Sequence, residues 1–324
     1  MDTLNDAVKR PWRQFLDTYE PLRPELYRYC RHLTRSPWDA EDLAQDTLAR
    51  AFVTLGQMNS PPPNPRAWLF RVASNLWIDH RRRRSPAPGH DADRDLAASP
   101  ADPIVTREAA GTLLGQLGPQ ERAAVVLKDV FELSLEEVAE TLSTTPGAIK
   151  AALHRARGKL AGAEPHEAPA RVPAPGVLDT FCAAFNARDM DRLTALLLDH
   201  ASVEVVGATQ EYGPEAARKT VLWGMLYGVK YLVDPEATGI DWQLRKDALP
   251  NAPRVQLENH RGEWLLLHWY GHETGDAVRA VTRLALDGDR ISLLRNYFYN
   301  PELIADVCGE LDVPYRSNGH RWWR

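Results

Sequence analysis

The stretch Pro65-Arg66-Ala67-Trp68-Leu69-Phe70-Arg71-Val72-Ala73-Ser74-Asn75-Leu76-Trp77-Ile78-Asp79 carries the reading of the first half of the chain. Pro65 suits the first helical position. Leu69, Val72, Ala73, Leu76 and His80 recur at helical spacing and predict the core face of an amphipathic helix. The other side carries Phe70, Arg71, Ser74, Asn75, Trp77, Ile78, Arg81 and Arg82. Rings interleaved with arginines suit single-stranded nucleic acid, because bases stack on flat rings and guanidiniums track phosphates. A plainer reading is also open. Phe70 and Trp77 could pack beneath a neighbouring helix, leaving the arginines solvated.

Upstream, Asp39 to Leu55 is helical in pattern, with Leu43, Leu48, Ala51, Phe52 and Leu55 on one face. Ser36 or Asp39 could cap it, and acids fill its first turn, where the helix dipole favours them. The opposite face holds Glu41, Gln45, Asp46 and Arg50. By itself it reads as a solvated face.

Downstream, Leu117-Gly118-Pro119-Gln120-Glu121-Arg122 opens another helix. Ser134 followed by Glu137 is a capping box. A polar break at Ser143-Thr144-Thr145 precedes Pro146 and a helix with Ile149, Ala152, Leu153, Ala156 and Leu160 on one face. Two short helices about a tight turn make a helix-turn-helix pattern, with Ser143 where glycine is common. The second helix carries Lys150, His154, Arg155 and Arg157 and no acid, as suits a major groove.

Charge sharpens this reading. The 324 residues carry 39 Lys+Arg against 44 Asp+Glu, a net charge of -5, which taken whole argues against a nucleic-acid partner. Residues 1–164 hold 22 of each sign, so residues 165–324 account for the whole deficit. Within the neutral half, Arg66–Arg84 has six arginines and one acid, and Thr145–Gly162 has four cations and none. Proline clusters mark joints. They suggest modules at 10–84, 104–163 and 176–300, linkers at 85–103 and 164–175, and a tail at 301–324. Three scattered cysteines suit a reducing cytoplasm, and no apolar run approaches a membrane span.

The runs Asp39–Thr47 and Pro65–Asp79 together closely resemble region 2 of bacterial extracytoplasmic-function (group IV) sigma factors, and Leu117–Leu160 resembles their region 4. The resemblance implies two all-α sigma modules, a region 2 helical bundle and a region 4 helix-turn-helix. It also implies the partners, RNA polymerase core through its β′ clamp helices and promoter DNA. Glu41, Asp42, Gln45 and Asp46 become polymerase-binding candidates. Arg66, Trp68, Arg71, Asn75, Trp77, Asp79, Arg81 and Arg82 become candidates for −10 recognition and melting, together with the Gly56–Asn64 loop. Thr145, Lys150, His154, Arg155 and Arg157 become candidates for −35 recognition.

In the third module, helices are expected at Val177–Arg188, Met190–Leu198 and Pro214–Gly228. Strands are expected at Ala201–Val206, Arg254–Asn259, Glu263–Gly271, Ala277–Leu286 and Arg290–Tyr299. Helices followed by antiparallel strands argue for an α+β domain. Its close, Asp287–Ile291 and Asn296–Leu303, resembles a SnoaL-like domain, which implies a cone of curved sheet around a pocket. Trp264, His268 and Tyr270 are the candidate pocket residues, for an unidentified small-molecule ligand. An isomerase- or cyclase-like activity at His268 is the alternative reading. Packing of these side chains within the cone, with no catalytic residue, metal or cofactor, is the favoured one. The acidic third module is expected to restrain the two basic segments, and the terminal Trp322 and Trp323 are expected to dock.

Overall fold

The computed structural model describes residues 11, 15–58, 60–84, 114, 116–160, 174–227 and 253–320. It divides into two compact units, Met1–Ala168 and Pro169–Arg324. The 85–103 linker, most of 164–175 and the two terminal tryptophans lie outside the described residues.

The first unit is helical. Its elements are α1 (Arg23–Thr34), α2 (Pro37–Leu55), α3 (Pro65–Arg84), α4 (Pro119–Val125, continued by a π-turn at Val126–Val130), α5 (Leu135–Thr141) and α6 (Pro146–Leu160). Ser36 caps α2, its Oγ accepting from the Asp39 amide at 3.3 Å, with Pro37 next in the chain. Asn64 caps α3 in the same way, from the Ala67 amide at 3.0 Å. The Ser134–Glu137 capping box is formed in both directions, at 3.1 and 2.7 Å. Ser143 closes α5 in the left-handed region at φ 52°, where a side chain is strained.

The buried face of α3 differs from the expected one. It is Leu69, Phe70, Ala73, Ser74 and Trp77, whereas Val72 and Leu76 are half-buried and His80 is exposed. The cause is tertiary. Phe70 stacks on Tyr29 of α1 at 4.6 Å and meets Phe131, beyond the π-turn, edge-on at 5.1 Å. Phe131 also meets Tyr29 edge-on at 5.7 Å, and the Tyr29 hydroxyl lies 2.7 Å from Ser74 Oγ. The region 2-like and region 4-like helices therefore share one aromatic core. The plainer reading of Phe70 and Trp77 is the one the fold adopts.

The second unit is α+β, in line with the expected class. Its helices are α7 (Gly176–Asn186), α8 (Met190–Ala195), α9 (Pro214–Lys219), α10 (Val221–Tyr227) and α11 (Pro301–Glu310). Its strands are β1 (Leu197–Val205), β2 (Thr209–Tyr212), β3 (Arg254–His260), β4 (Glu263–Tyr270), β5 (Ala277–Asp287) and β6 (Arg290–Tyr297). They form one sheet in the order β2-β1-β6-β5-β4-β3. All neighbours are antiparallel except β1 and β6, which run parallel. Phe181 and Phe185 of α7, Leu193 of α8 and Leu222 and Leu226 of α10 pack against Leu197, Val203, Leu266, Ile291 and Leu294 of the sheet. Each such fully buried side chain contributes about 2 kcal/mol of hydrophobic stabilisation.

Local geometry explains the turns. Arg261 and Gly262 both have positive φ, 53° and 83°, and join β3 to β4 as a two-residue hairpin of the favoured handedness. Gly213 sits at φ 80°, where a Cβ would lie 2.8 Å from the Asp199 carbonyl oxygen. Four elements depart from expectation. The helix expected at Met190–Leu198 ends at Ala195, and β1 already begins at Leu197. The helix expected from Pro214 breaks at Thr220 into α9 and α10. The β2 hairpin partner was not anticipated. The segment read as a tail contains α11, and beyond it the chain runs beside β5, with the Val278 amide donating to the Pro314 carbonyl at 2.8 Å and the Arg316 amide to the Val278 carbonyl at 2.9 Å. That stretch of β5 extends past the end of β6, so the tail takes the vacated edge.

Candidate functional site

The α6 helix is the most exposed cationic element among the described residues of the first unit. Ile149, Ala152, Leu153 and Ala156 bury its inner face against α4 and α5. Lys150, His154, Arg155 and Arg157 are exposed. Thr145 caps its start, Oγ1 accepting from the Ala148 amide at 3.2 Å. The expected −35 residues thus lie together on one helix, but they are not equivalent. Arg155 Nε donates to Glu121 at 3.3 Å, and Lys159 reaches the same carboxylate at 2.8 Å. Arg157 lies 3.6 Å from Asp129. Among the described residues, Lys150 and His154 have no such carboxylate partner.

Glu121, which sequence reasoning passed over, organises this module. Burial alone would raise its pKa. Hydrogen bonds from Lys159, the Gly118 amide and Arg155 outweigh burial and hold it below the usual carboxylate range. The signal was available, since Glu121 stands at the third position of a helix that Pro119 opens after the cap Gly118.

On α3 the candidate set splits. Asn75, Asp79 and Arg82 are exposed, and Asp79 lies 4.0 Å from Arg82. Arg81 is half-buried. Trp77 is 5% exposed beneath Arg122, whose guanidinium carbon is 5.3 Å from its ring centre, so it is a core residue and not a stacking platform. Trp68 is half-buried, 5.9 Å from the Tyr19 ring. Arg66 forms an ion pair with Glu25 at 2.7 Å and lies 5.1 Å from the Phe70 ring centre. Arg71 donates to Glu140 of α5 at 3.2 Å. These two arginines hold helices together, and only the outer edge of α3 faces water.

On α2, where polymerase-binding residues are expected at the surface, Asp46 is exposed and Asp42 and Gln45 are half-buried. Glu41 departs from that expectation. It is fully buried, paired with Arg23 of α1, and accepts from Gln45 Nε2 at 2.9 Å. Its turn of α2 faces α1, which makes it a brace and not a surface contact.

In the second unit, His268 and Tyr270 are buried and Trp264 is half-buried. His268 Nε2 lies 2.8 Å from Thr282 Oγ1, which also accepts from Asn296 Nδ2 at 2.8 Å. Burial, assisted by the Arg188 charge, pushes the His268 pKa down to about 3. Burial pushes the Tyr270 hydroxyl above its ordinary value. Tyr270 packs edge-on to Phe298 at 6.5 Å. Among the described residues, no helix is long and apolar enough to cross a membrane.

Comparison with known proteins places these elements. Residues 18–86 match the Sigma-70 region 2 family, and residues 107–160 match Sigma-70, region 4. The chain is 32% identical over 238 residues to the ECF RNA polymerase sigma factor SigG of Mycobacterium tuberculosis, a match covering 63% of this chain and 64% of that protein. The chain thus spans under two thirds of the SigG length. It is 30% identical over 162 residues to the ECF RNA polymerase sigma factor SigW of Bacillus subtilis, covering 45% of this chain and 86% of that one. Among solved structures it is similar to the extracytoplasmic function sigma factor SigJ of Mycobacterium tuberculosis, at 24% identity and a TM-score of 0.34, over 89% of this chain and 97% of that one. With regions 2 and 4 in order, and with SigW matched over most of its length, the chain belongs to the extracytoplasmic-function family of RNA polymerase sigma factors.

Proposed function

We propose that this protein directs bacterial RNA polymerase core to promoters, with region 2 melting the −10 element and region 4 reading the −35 element. The observation that carries the reading is α6, a capped helix with an apolar inner face and an exposed, acid-free cationic outer face. Lys150 and His154 reach bases or phosphates in the major groove. Asn75, Asp79 and Arg82 act at the −10 element. Asp42, Gln45 and Asp46 contact the β′ clamp helices. The protein works in the cytoplasm, where polymerase is. The test mixes purified protein with core polymerase and promoter DNA and scores specific open complexes. Failure to bind core sinks the reading.

The SnoaL-like C-terminal unit modulates this activity in cis. Its excess of acid, 22 against 17 cations in residues 165–324, supports this, since it has the sign to act on the basic segments. The modules run 10–84, 104–163 and 176–300, joined by the linkers at 85–103 and 164–175. Promoter output compared between the full chain and one lacking residues 165–324 tests the modulation, and equal output contradicts it. We read the chain as a non-enzyme, with no catalytic role for His268. A histidine with a pKa near 3 binds a proton too weakly for general-base work at neutral pH.

A further inference from the structure

The first part of β5 lies beyond the reach of β6, whose last pair sets Tyr297 against Val281. Ala277, Val278, Arg279 and Ala280 therefore present a sheet edge on that side, and the segment after α11 fills it. The Val278 amide donates to the Pro314 carbonyl at 2.8 Å, and the Arg316 amide donates to the Val278 carbonyl at 2.9 Å. Tyr315 is set parallel to Val278 between them. Side chains add to this pairing. Asn318 accepts from Arg279 Nε at 2.7 Å and donates to the Arg279 and Phe298 carbonyls at 2.7 and 2.9 Å. Arg316 Nη2 donates to Thr274 Oγ1 at 2.7 Å, and His320 Nε2 lies 2.8 Å from Glu302 Oε1.

This strap is held mainly by polar bonds. No side chain from Leu311 to His320 is buried, and Tyr315 is 44% exposed. A segment with exposed hydrogen bonds and little apolar burial opens at low local cost. Its departure does not unwind α11. Asp312, left-handed at φ 53°, and the Val313 amide, which donates to the Cys308 carbonyl at 3.0 Å, close that helix before the strap begins. The edge beneath stays in place, because Val278 is fully buried and paired on its other side with Trp269 of β4. Its N–H and C=O, once the strap leaves, are a template for another strand.

We propose that the Ala277–Ala280 edge of β5 is a peptide-binding site that the chain fills with its own end, and that it accepts an extended segment of a partner protein with arginine and asparagine two positions apart. In strand addition, main-chain bonds supply affinity and side-chain contacts supply selectivity. The asparagine follows from the Arg279 guanidinium and the two carbonyls, which together call for an acceptor oxygen and an NH2 group on one side chain. The arginine reaches Thr274 in the turn between β4 and β5. A tethered strap competes at an effective concentration of about millimolar. The partner therefore enters when the strap is weakened or when its own segment pairs better.

The test is fluorescence anisotropy on the full chain with a labelled peptide of sequence 312–320. The acceptor carries Arg316→Pro, which removes the strap's amide donor, and Asn318→Ala, which removes its side-chain bonds. The peptide should bind this variant saturably and about tenfold or more tighter than it binds the wild-type chain, whose strap competes. Hydrogen exchange at Val278 should speed up in the variant and slow again with peptide. A peptide carrying the same two changes should not bind. If the double variant loses its near-UV circular dichroism, Asn318→Ala alone serves as acceptor. The proposal is overturned by absence of saturable binding, by equal binding to the wild-type chain, or by exchange at Val278 that the peptide leaves unchanged. Dimerisation of the variant that the peptide does not reverse also overturns it, because a second copy then holds the edge. No polymerase is involved, so this result and the open-complex assay fail separately.

Discussion

Arg122 of α4 donates from Nη1 to the backbone carbonyl of Leu33 of α1 at 2.7 Å, across 89 positions of sequence. The carbonyl belongs to the last turn of α1, where no intrahelical amide is available to it. The same guanidinium covers Trp77. One buried side chain therefore closes a helix end of region 2 and shields its tryptophan, from within region 4.

Arg122→Ala should loosen this joint. A hydrogen bond to a charged group is worth about 1.5–3 kcal/mol, and its loss leaves a buried carbonyl unsatisfied. Hydrogen exchange of the full chain should show faster exchange at the end of α1 and around Trp77, with α11 unchanged. Unaltered protection at α1 would contradict the role.

Glu41→Gln should be costly although it is nearly isosteric. It removes the carboxylate from the buried Arg23–Glu41 pair, and breaking one member of a buried pair costs about 3–5 kcal/mol. Urea unfolding of single and double variants at Arg23 and Glu41 checks this. The double variant should recover part of the loss, and strictly additive costs would show that the two are not coupled.

Ser143→Gly should stabilise the helix-turn-helix. A left-handed L-residue costs roughly 1–2 kcal/mol, and the Ser143 side chain is exposed, so nothing packed is lost. Thermal unfolding followed by far-UV circular dichroism should give a higher midpoint. A lower one would mean that the hydroxyl has a function in the turn.

Lys150→Ala should weaken promoter binding uniformly and reduce the magnitude of the salt dependence by about one phosphate contact. Arg155→Ala should alter binding less, because Arg155 is already engaged with Glu121. Filter binding or anisotropy across a salt series with reconstituted holoenzyme separates the two.

Acid should destabilise the second unit in two windows. Burial alone would raise the Glu310 pKa, but the His260 hydrogen bond and the Arg261 charge hold it down to about 2. A carboxyl with a depressed folded pKa contributes stability above its unfolded value of about 4.3, and that contribution is lost as pH falls toward 2. His268, at about 3 when folded, contributes above its unfolded value of about 6.5, and loses that contribution at up to about 1.4 kcal/mol per pH unit below it. Urea midpoints from pH 7 to pH 3 should fall continuously. Glu310→Gln should flatten the lower part of the curve and leave the fall between pH 6.5 and 5 in place.

Local pattern and tertiary contact divide the account of this chain between them. Periodicity, caps and turn residues specified α2, α3, the helix-turn-helix and the four consecutive strands from β3 to β6, because each depends on neighbours in sequence. Ser36, Pro65 and Ser134 act within a turn of themselves, so their roles are visible in one dimension. The paired motifs likewise carried the family, and charge taken by segment exposed two basic stretches that the net of -5 concealed.

Long-range packing decided the rest. Whether Phe70 and Trp77 meet bases or a protein core depends on Tyr29, Phe131 and Arg122, which no spacing brings near them. Glu41 reads as a surface acid until Arg23 is found against it, and Arg155 reads as a groove contact until Glu121 is. The parallel β1–β6 pair and the tail beside β5 join segments far apart in sequence. Arg188 looked like any arginine at a helix end. Its left-handed backbone, at φ 60°, exists only in three dimensions, because backbone strain and burial are set by the folded surroundings and not by the residue.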